Sequence, residues 1–313
     1  MNRCIYLIYG GRRQEGTGVL HQALVLAEEH DLPAVALRAR ANLVQLLIER
    51  DRFEQVVEEV QAALVIARER GDRLWERQVI AQQIPALFFL GRWNSAMEVG
   101  SPLLSGRADL DAMGTAAMLV SVAAARGDDE TVQRCLALAA QRKESTYTDL
   151  RVAAENVLAR AAIEEGNHSE ALAHGRTVLT LEGIGHEATE QAYALSIETT
   201  SMLGDISAMG ELEAFVAGLP RARATPLLRA GRARLQAELA HRSGDDDGAQ
   251  RFEDEAIELL RSVGARPLLA QALLERARRH EDGEALAEAR AIYEELGATR
   301  WLERFENQLG APA

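Results

Sequence analysis

The chain has 313 residues, of which 4% are aromatic and 27% charged, and its formal net charge is −13. That balance points away from duplex nucleic acid, which is held chiefly by cationic neutralisation of phosphates. No apolar run approaches the roughly 18 to 20 residues that a membrane-spanning helix needs. Cys4 and Cys135 are the only cysteines, too few for a disulfide framework. The opening MNRCIYLIYGG has no small-residue cleavage site at the right distance. The expected address is therefore the cytoplasm. Lys143 is the sole lysine, so carboxylate contacts fall to guanidinium forks.

In chain order, apolar residues spaced three and four apart predict helices over 15–30, 33–49, 52–70, 73–90, 93–105, 109–126, 128–141 and 148–165. They continue over 168–182, 186–203, 205–219, 225–243, 246–263, 267–279, 283–297 and 299–309. Leu37, Ala41, Val44, Leu47 and Ile48 form one stripe, and Val56, Val60, Ala63, Leu64 and Ala67 the next. Pro33, Pro226 and Pro267 stand where a first-turn proline is tolerated; Gly71, Gly264 and Gly297 stand where a helix stops. Pro85, inside 73–90, is expected to kink that helix. Ala and Leu dominate and strand-forming runs are few, so the composition is all-α.

Residues 1–313 read as one domain. The proline-bracketed segment 218–226, GLPRARATP, is its best hinge. Residues 1–14 resemble a first unit cut in half, whose apolar opening (Cys4, Ile5, Tyr6, Leu7, Ile8, Tyr9) is expected to be a sticky edge. That edge either continues upstream or self-associates. Residues 299–309 read as a capping helix, with Trp301, Leu302, Phe305 and Leu309 on one face and Arg300, Glu303, Arg304 and Glu306 on the other, and so as a true terminus of the array.

Short turns, most followed five residues later by a small or apolar side chain, recur at Gly11, Asp51, Gly91, Gly127, Gly166, Gly204, Gly244 and His280, in steps of 36 to 40 residues. The clearest copies end on Ala96, Ala171 and Ala249. A period of this size with helical flanks predicts an α-α superhelix, a solenoid of about seven to eight helix pairs. Each unit buries its apolar faces only by stacking on its neighbours, which predicts an elongated molecule.

The turn glycine with Ala five residues on, a large residue two after it (Trp93, His168) and a small one twelve after it (Ala139, Ala256) resemble the tetratricopeptide repeat over about residues 11–297. The unit is longer than usual, and the glycine of the first helix is replaced by Val44, Ile84, Val120 and Ala159. Stretched, Arg-rich units of this kind, with the ending YEELGATRWLERFENQLG, are similar to the carboxy-terminal arrays of large bacterial signalling ATPases, including maltose-regulator-like and LuxR-type transcription activators. The resemblance implies a non-catalytic scaffold, the sensor or interaction region of a larger regulator. It also implies a concave groove that takes a protein or peptide segment or a small signal molecule. The other reading is a purely structural module acting through its ends and convex face.

Specific chemistries are weakly supported. Gly11-x-x-x-x-Gly16 imitates a phosphate loop, but Thr17 and Gly18 stand where Lys and Ser or Thr belong. Asp245-Asp246-Asp247 lacks the later ligands of a calcium loop and reads as a solvated turn. The seven histidines form no HExxH pair or Cys/His cluster, and no nucleophile elbow occurs. Neither an enzyme nor a cofactor is expected.

By their distance before each turn, the groove positions carried over from the family are Arg38, Gln45, Gln78, Asn156, Arg160, Gln191, Glu198, Arg234 and Glu238. Asn156 and Arg160, one helical turn apart, read either as a carboxylate clamp or as a solvated helix face. Phe88 and Phe89 read either as core between units or as a peptide anchor.

Overall fold

Aspartate starts many of the helices. Asp72, Asp109, Asp128, Asp205, Asp245 and Asp282 each accept a hydrogen bond from the backbone N–H three residues on, satisfying a donor that the first turn leaves open. The computed structural model describes residues 12–181, 186–221 and 223–310. Among the described residues it contains sixteen α-helices and no strand. They are α1 (Arg13–Glu29), α2 (Pro33–Ile48), α3 (Phe53–Glu69), α4 (Arg73–Phe89), α5 (Trp93–Gly100), α6 (Leu110–Arg126), α7 (Asp129–Ala140) and α8 (Thr148–Glu164). After them come α9 (His168–Thr180), α10 (His186–Leu203), α11 (Ile206–Ala217), α12 (Pro226–Arg242), α13 (Asp246–Val263), α14 (Arg266–His280), α15 (Gly283–Leu296) and α16 (Thr299–Gly310).

These helices follow the expected spans with one shortening. The helix expected over 93–105 ends at Gly100, and Ser101–Leu104 forms a 3₁₀ turn. Pro102 has no N–H with which to continue the α ladder. Pro85 lies inside α4, which is a single helix from Arg73 to Phe89. Gly16 falls in the first turn of α1, and Asp245 caps α13, so both stretches with a chemical look are helix starts. The expected hinge, 218–226, links α11 to α12, with Thr225 capping α12. The apolar opening, residues 4–9, lies outside the described residues.

Successive helices pack as pairs into an all-α superhelix. The small residues at the turns permit this: Ala96, Ala171 and Ala249 are no more than 1% exposed. Phe53 stacks on Phe89 at 4.9 Å between consecutive pairs, and Phe88 on Trp93 at 6.0 Å within one pair. One apolar cluster includes Leu37, Phe53, Phe89 and Leu119 from the first part of the chain and Leu269, Tyr293 and Trp301 from the last.

That cluster records a departure from the elongated array expected above. The superhelix is wound tightly enough for its second coil to lie on its first. The N–H of Leu227, starting α12, donates to Asp51 Oδ2 at 2.7 Å across 176 residues. Arg126, ending α6, donates to the carbonyl of Leu296 across 170 residues, and Thr299 Oγ1 donates to Arg126 O across 173. Gly91 needs to be glycine twice over: its φ is +72°, and a Cβ would lie 2.8 Å from Leu296 Cδ2. That Cβ would also lie 3.0 Å from Arg266 Cβ, so the turns after α2, α4 and α6 meet the second coil at its α12 start, its α14 start and its α15–α16 turn.

Candidate functional site in the superhelix interior

The first helices of the pairs carry charges among their apolar residues, and the second coil closes over them. Arg160 on α8 is 3% exposed. Its Nη1 and Nη2 donate to the two carboxylate oxygens of Glu198 on α10, at 3.0 and 2.8 Å. It also reaches Glu164 at 3.5 Å and Ser121 Oγ on α6 at 3.3 Å. Burial alone would lower its pKa, but the charges of Glu198 and Glu164 outweigh it and the pKa is raised. Arg234 on α12 repeats the motif, donating to both oxygens of Glu275 on α14 at 3.0 and 2.6 Å. Burial works to raise the Glu275 pKa, and Arg234, with Arg279 and Arg278, lowers it by more. Arg279 joins Glu238 and Glu253, each at 2.6 Å. The bonded pairs Ser121–Arg160, Arg160–Glu198, Arg234–Glu275 and Glu238–Arg279 are separated by 39, 38, 41 and 41 residues, about one period each. They make a ladder of neutralised charge along the interior.

α16 lies against this ladder. The Trp301 ring is 5.1 Å from the Arg160 guanidinium carbon and meets Trp93 and Tyr293 edge-on at 5.9 and 6.1 Å. Its indole N–H points to Glu164 Oε1 at 3.4 Å, and Arg304 pairs with Glu164 at 2.5 Å. Phe88, Gln191, Gln271 and Trp301 line a cavity of about 20 Å³, room for one water. The carboxamide oxygens of Gln191 and Gln271 have no protein donor.

The structure gathers some of the groove residues and scatters others. Asn156, Arg160, Gln191 and Arg234 are buried, and Glu198 and Glu238 are partly buried in ion pairs. Asn156 Nδ2 donates to Ala188 O at 3.1 Å, and the Gln191 amide donates to Ala117 O. The carboxylate beside Arg160 is the chain's own, from Glu198. Gln45 and Gln78 are half-buried on α2 and α4, and Arg38 is exposed. Phe88 and Phe89 are core residues. Trp301, Glu164, Glu275 and Arg279 were not among the sequence candidates. For Glu275 and Arg279 the signal was opposite charge one period from Arg234 and Glu238; Glu164 lies one helical turn from Arg160, and Trp301 was read only as part of the capping face.

Arranged this way, the interior can bind through guanidinium, carboxylate and indole groups. Among the described residues, no three His, Cys, Asp or Glu side chains converge in a way that would hold a metal ion. No described helix is long and apolar enough to cross a membrane. No family model matches the chain, and no curated protein matches it.

Proposed function

We propose that this chain is a non-catalytic, tetratricopeptide-like recognition scaffold that holds a protein segment, or a small signal, inside its superhelix as part of a bacterial signalling or transcription-control system. The observation that carries the reading is the seating of α16. An amphipathic helix lies on the inner wall with one aromatic anchor, Trp301, enclosed by Arg160, Trp93 and Tyr293. This is the chemistry of helix-in-groove recognition, in which a few aromatic and arginine contacts supply most of the affinity. The described conformation is the self-occupied one, and a partner helix would take the place of α16.

The test uses the full chain carrying Trp301→Lys, which sets a second cation against Arg160 and expels α16. A labelled peptide of residues 299–310 is the probe. Saturable binding to the variant, weak binding to wild type, and loss of binding when the peptide's own Trp is replaced by Ala are expected. A folded variant that ignores the peptide overturns the recognition reading and leaves a structural module, acting through its ends and convex face, in its place.

A further inference from the structure

The wall under α16 holds an acid whose nearest cation comes from α16 itself. Glu164 ends α8, and its side chain is only 10% exposed. Arg160 comes no closer to it than 3.5 Å, while both Nη atoms of that guanidinium are held by Glu198 at 3.0 and 2.8 Å. Glu164 Oε2, sealed from water, is met by Arg304 Nη2 at 2.5 Å. The same nitrogen lies 3.4 Å from the main-chain carbonyl of Glu164, at a helix end where the macrodipole favours a cation.

One turn earlier on α16, Arg300 repeats the arrangement at the end of α6. Its Nη1 pairs with Asp129 at 3.0 Å, and its Nη2 lies 3.4 Å from where a Cβ on Gly127 would stand. Residues four apart share one face of a helix, so Arg300 and Arg304 point the same way, with Trp301 beside them and its indole N–H also turned to Glu164. The acids of α16 carry less. Glu303 is exposed, and Glu306 pairs with Arg290 of α15 in an exposed contact, which contributes little. An occupant without a cation in the place of Arg304 would leave the Glu164 oxygen unmatched, and an acidic one would set a like charge against it. Either is costly where water is excluded.

Taking the interior as a helix-binding groove, we propose that its partner is a basic amphipathic helix of another protein, with a basic residue directly before its aromatic anchor and another three residues after it, which displaces α16 by taking over Asp129 and Glu164. The chain's net charge of −13 also draws such a helix in from a distance.

Binding of labelled peptides to the full chain carrying Trp301→Lys tests the selection, with residues 299–310 as the parent peptide. Arg304→Ala in the peptide is expected to weaken binding about tenfold, as for a hydrogen-bonded charge, and Arg300→Ala about two- to threefold, as for an exposed pair. Raising salt from about 0.05 M to about 0.5 M should weaken the parent and leave the peptide lacking both arginines nearly unchanged. Adding Glu164→Gln to the chain should remove the difference between the parent and the Arg304→Ala peptide. Equal affinities across the series, with binding still dependent on the peptide's Trp, overturn the cation selection and leave helix recognition standing. A folded variant that binds no peptide ends both. Dimers of the wild-type chain that the parent peptide dissolves would make the occupant a second copy's α16 and overturn the separate partner. If Trp301→Lys does not fold, hydrogen exchange at residues 300–306 decides. Arg304→Glu in the full chain should lower protection there about tenfold while the centre of α6 keeps its own, and unchanged protection overturns the need for a cation.

Discussion

The guanidinium of Arg126 donates twice to the main-chain carbonyl of Leu296, from Nε at 3.1 Å and from Nη2 at 2.7 Å. That carbonyl is one of the group that the last turn of α15 leaves without an internal partner. One residue therefore closes a helix end and joins the two coils at once. Arg126→Ala should lower stability by about 1–2 kcal/mol, the lower part of the range for a charged donor because Arg126 is only half-buried. Urea denaturation is the measurement, and an unmoved midpoint at unchanged m-value would show that the contact adds nothing.

Ala96, Ala171 and Ala249 have almost no accessible surface and sit where two helices of a pair approach. Leu at any of these positions should overpack the contact and cost about 1–3 kcal/mol. Thermal unfolding of the three single variants checks this. Wild-type stability in all of them would mean that the close approaches lie elsewhere.

Arg160→Met should be more damaging, by about 3–5 kcal/mol, because it strands Glu198 without its cation, whereas Glu164 keeps Arg304. The double variant Arg160→Met, Glu198→Leu should recover part of the loss, since it removes both buried charges. Additive losses in the double-mutant cycle would show that the pair is not coupled.

Cys135 is fully buried, and burial pushes its thiol up to about 12, so almost none of it is thiolate at neutral pH. Alkylation at pH 8, followed by peptide mapping, should leave Cys135 unmodified in the native protein and modify it fully in denaturant. Fast labelling of native protein would contradict the packing of α7 against its neighbours.

Helices were legible in the sequence because their signals are local. Asp72, Asp128 and Asp245 start them, Gly91, Gly127 and Gly166 stop them, and Ala at a fixed distance after the turn marks the close contact. Even the turn expected at His280 lies one residue away, at Glu281, which takes the left-handed conformation. The closed seam was not legible. Asp51 and Leu227 read as an ordinary turn and an ordinary helix start, and nothing local says that they meet. Winding is the sum of small rotations between pairs, and an error at each pair accumulates along the chain. The interior was half legible for the same reason. Arg160 and Glu198 were singled out as members of the first helices, whereas Trp301 reached them only through the winding.

The offset of 170 to 176 residues between bonded partners on the two coils has a consequence for how such a chain can change length. A free solenoid tolerates the gain or loss of a whole unit, because each unit touches only the next. Here a helix pair inserted between α6 and α12 would carry Leu227 past Asp51, Arg266 past Gly91 and Leu296 past Arg126, setting these seam contacts against the wrong neighbours. The two coils thus act as a vernier, each fixing the count of units in the other. Descendants of this chain are free to vary surface side chains, but an added or deleted pair survives only if both coils are rebuilt together.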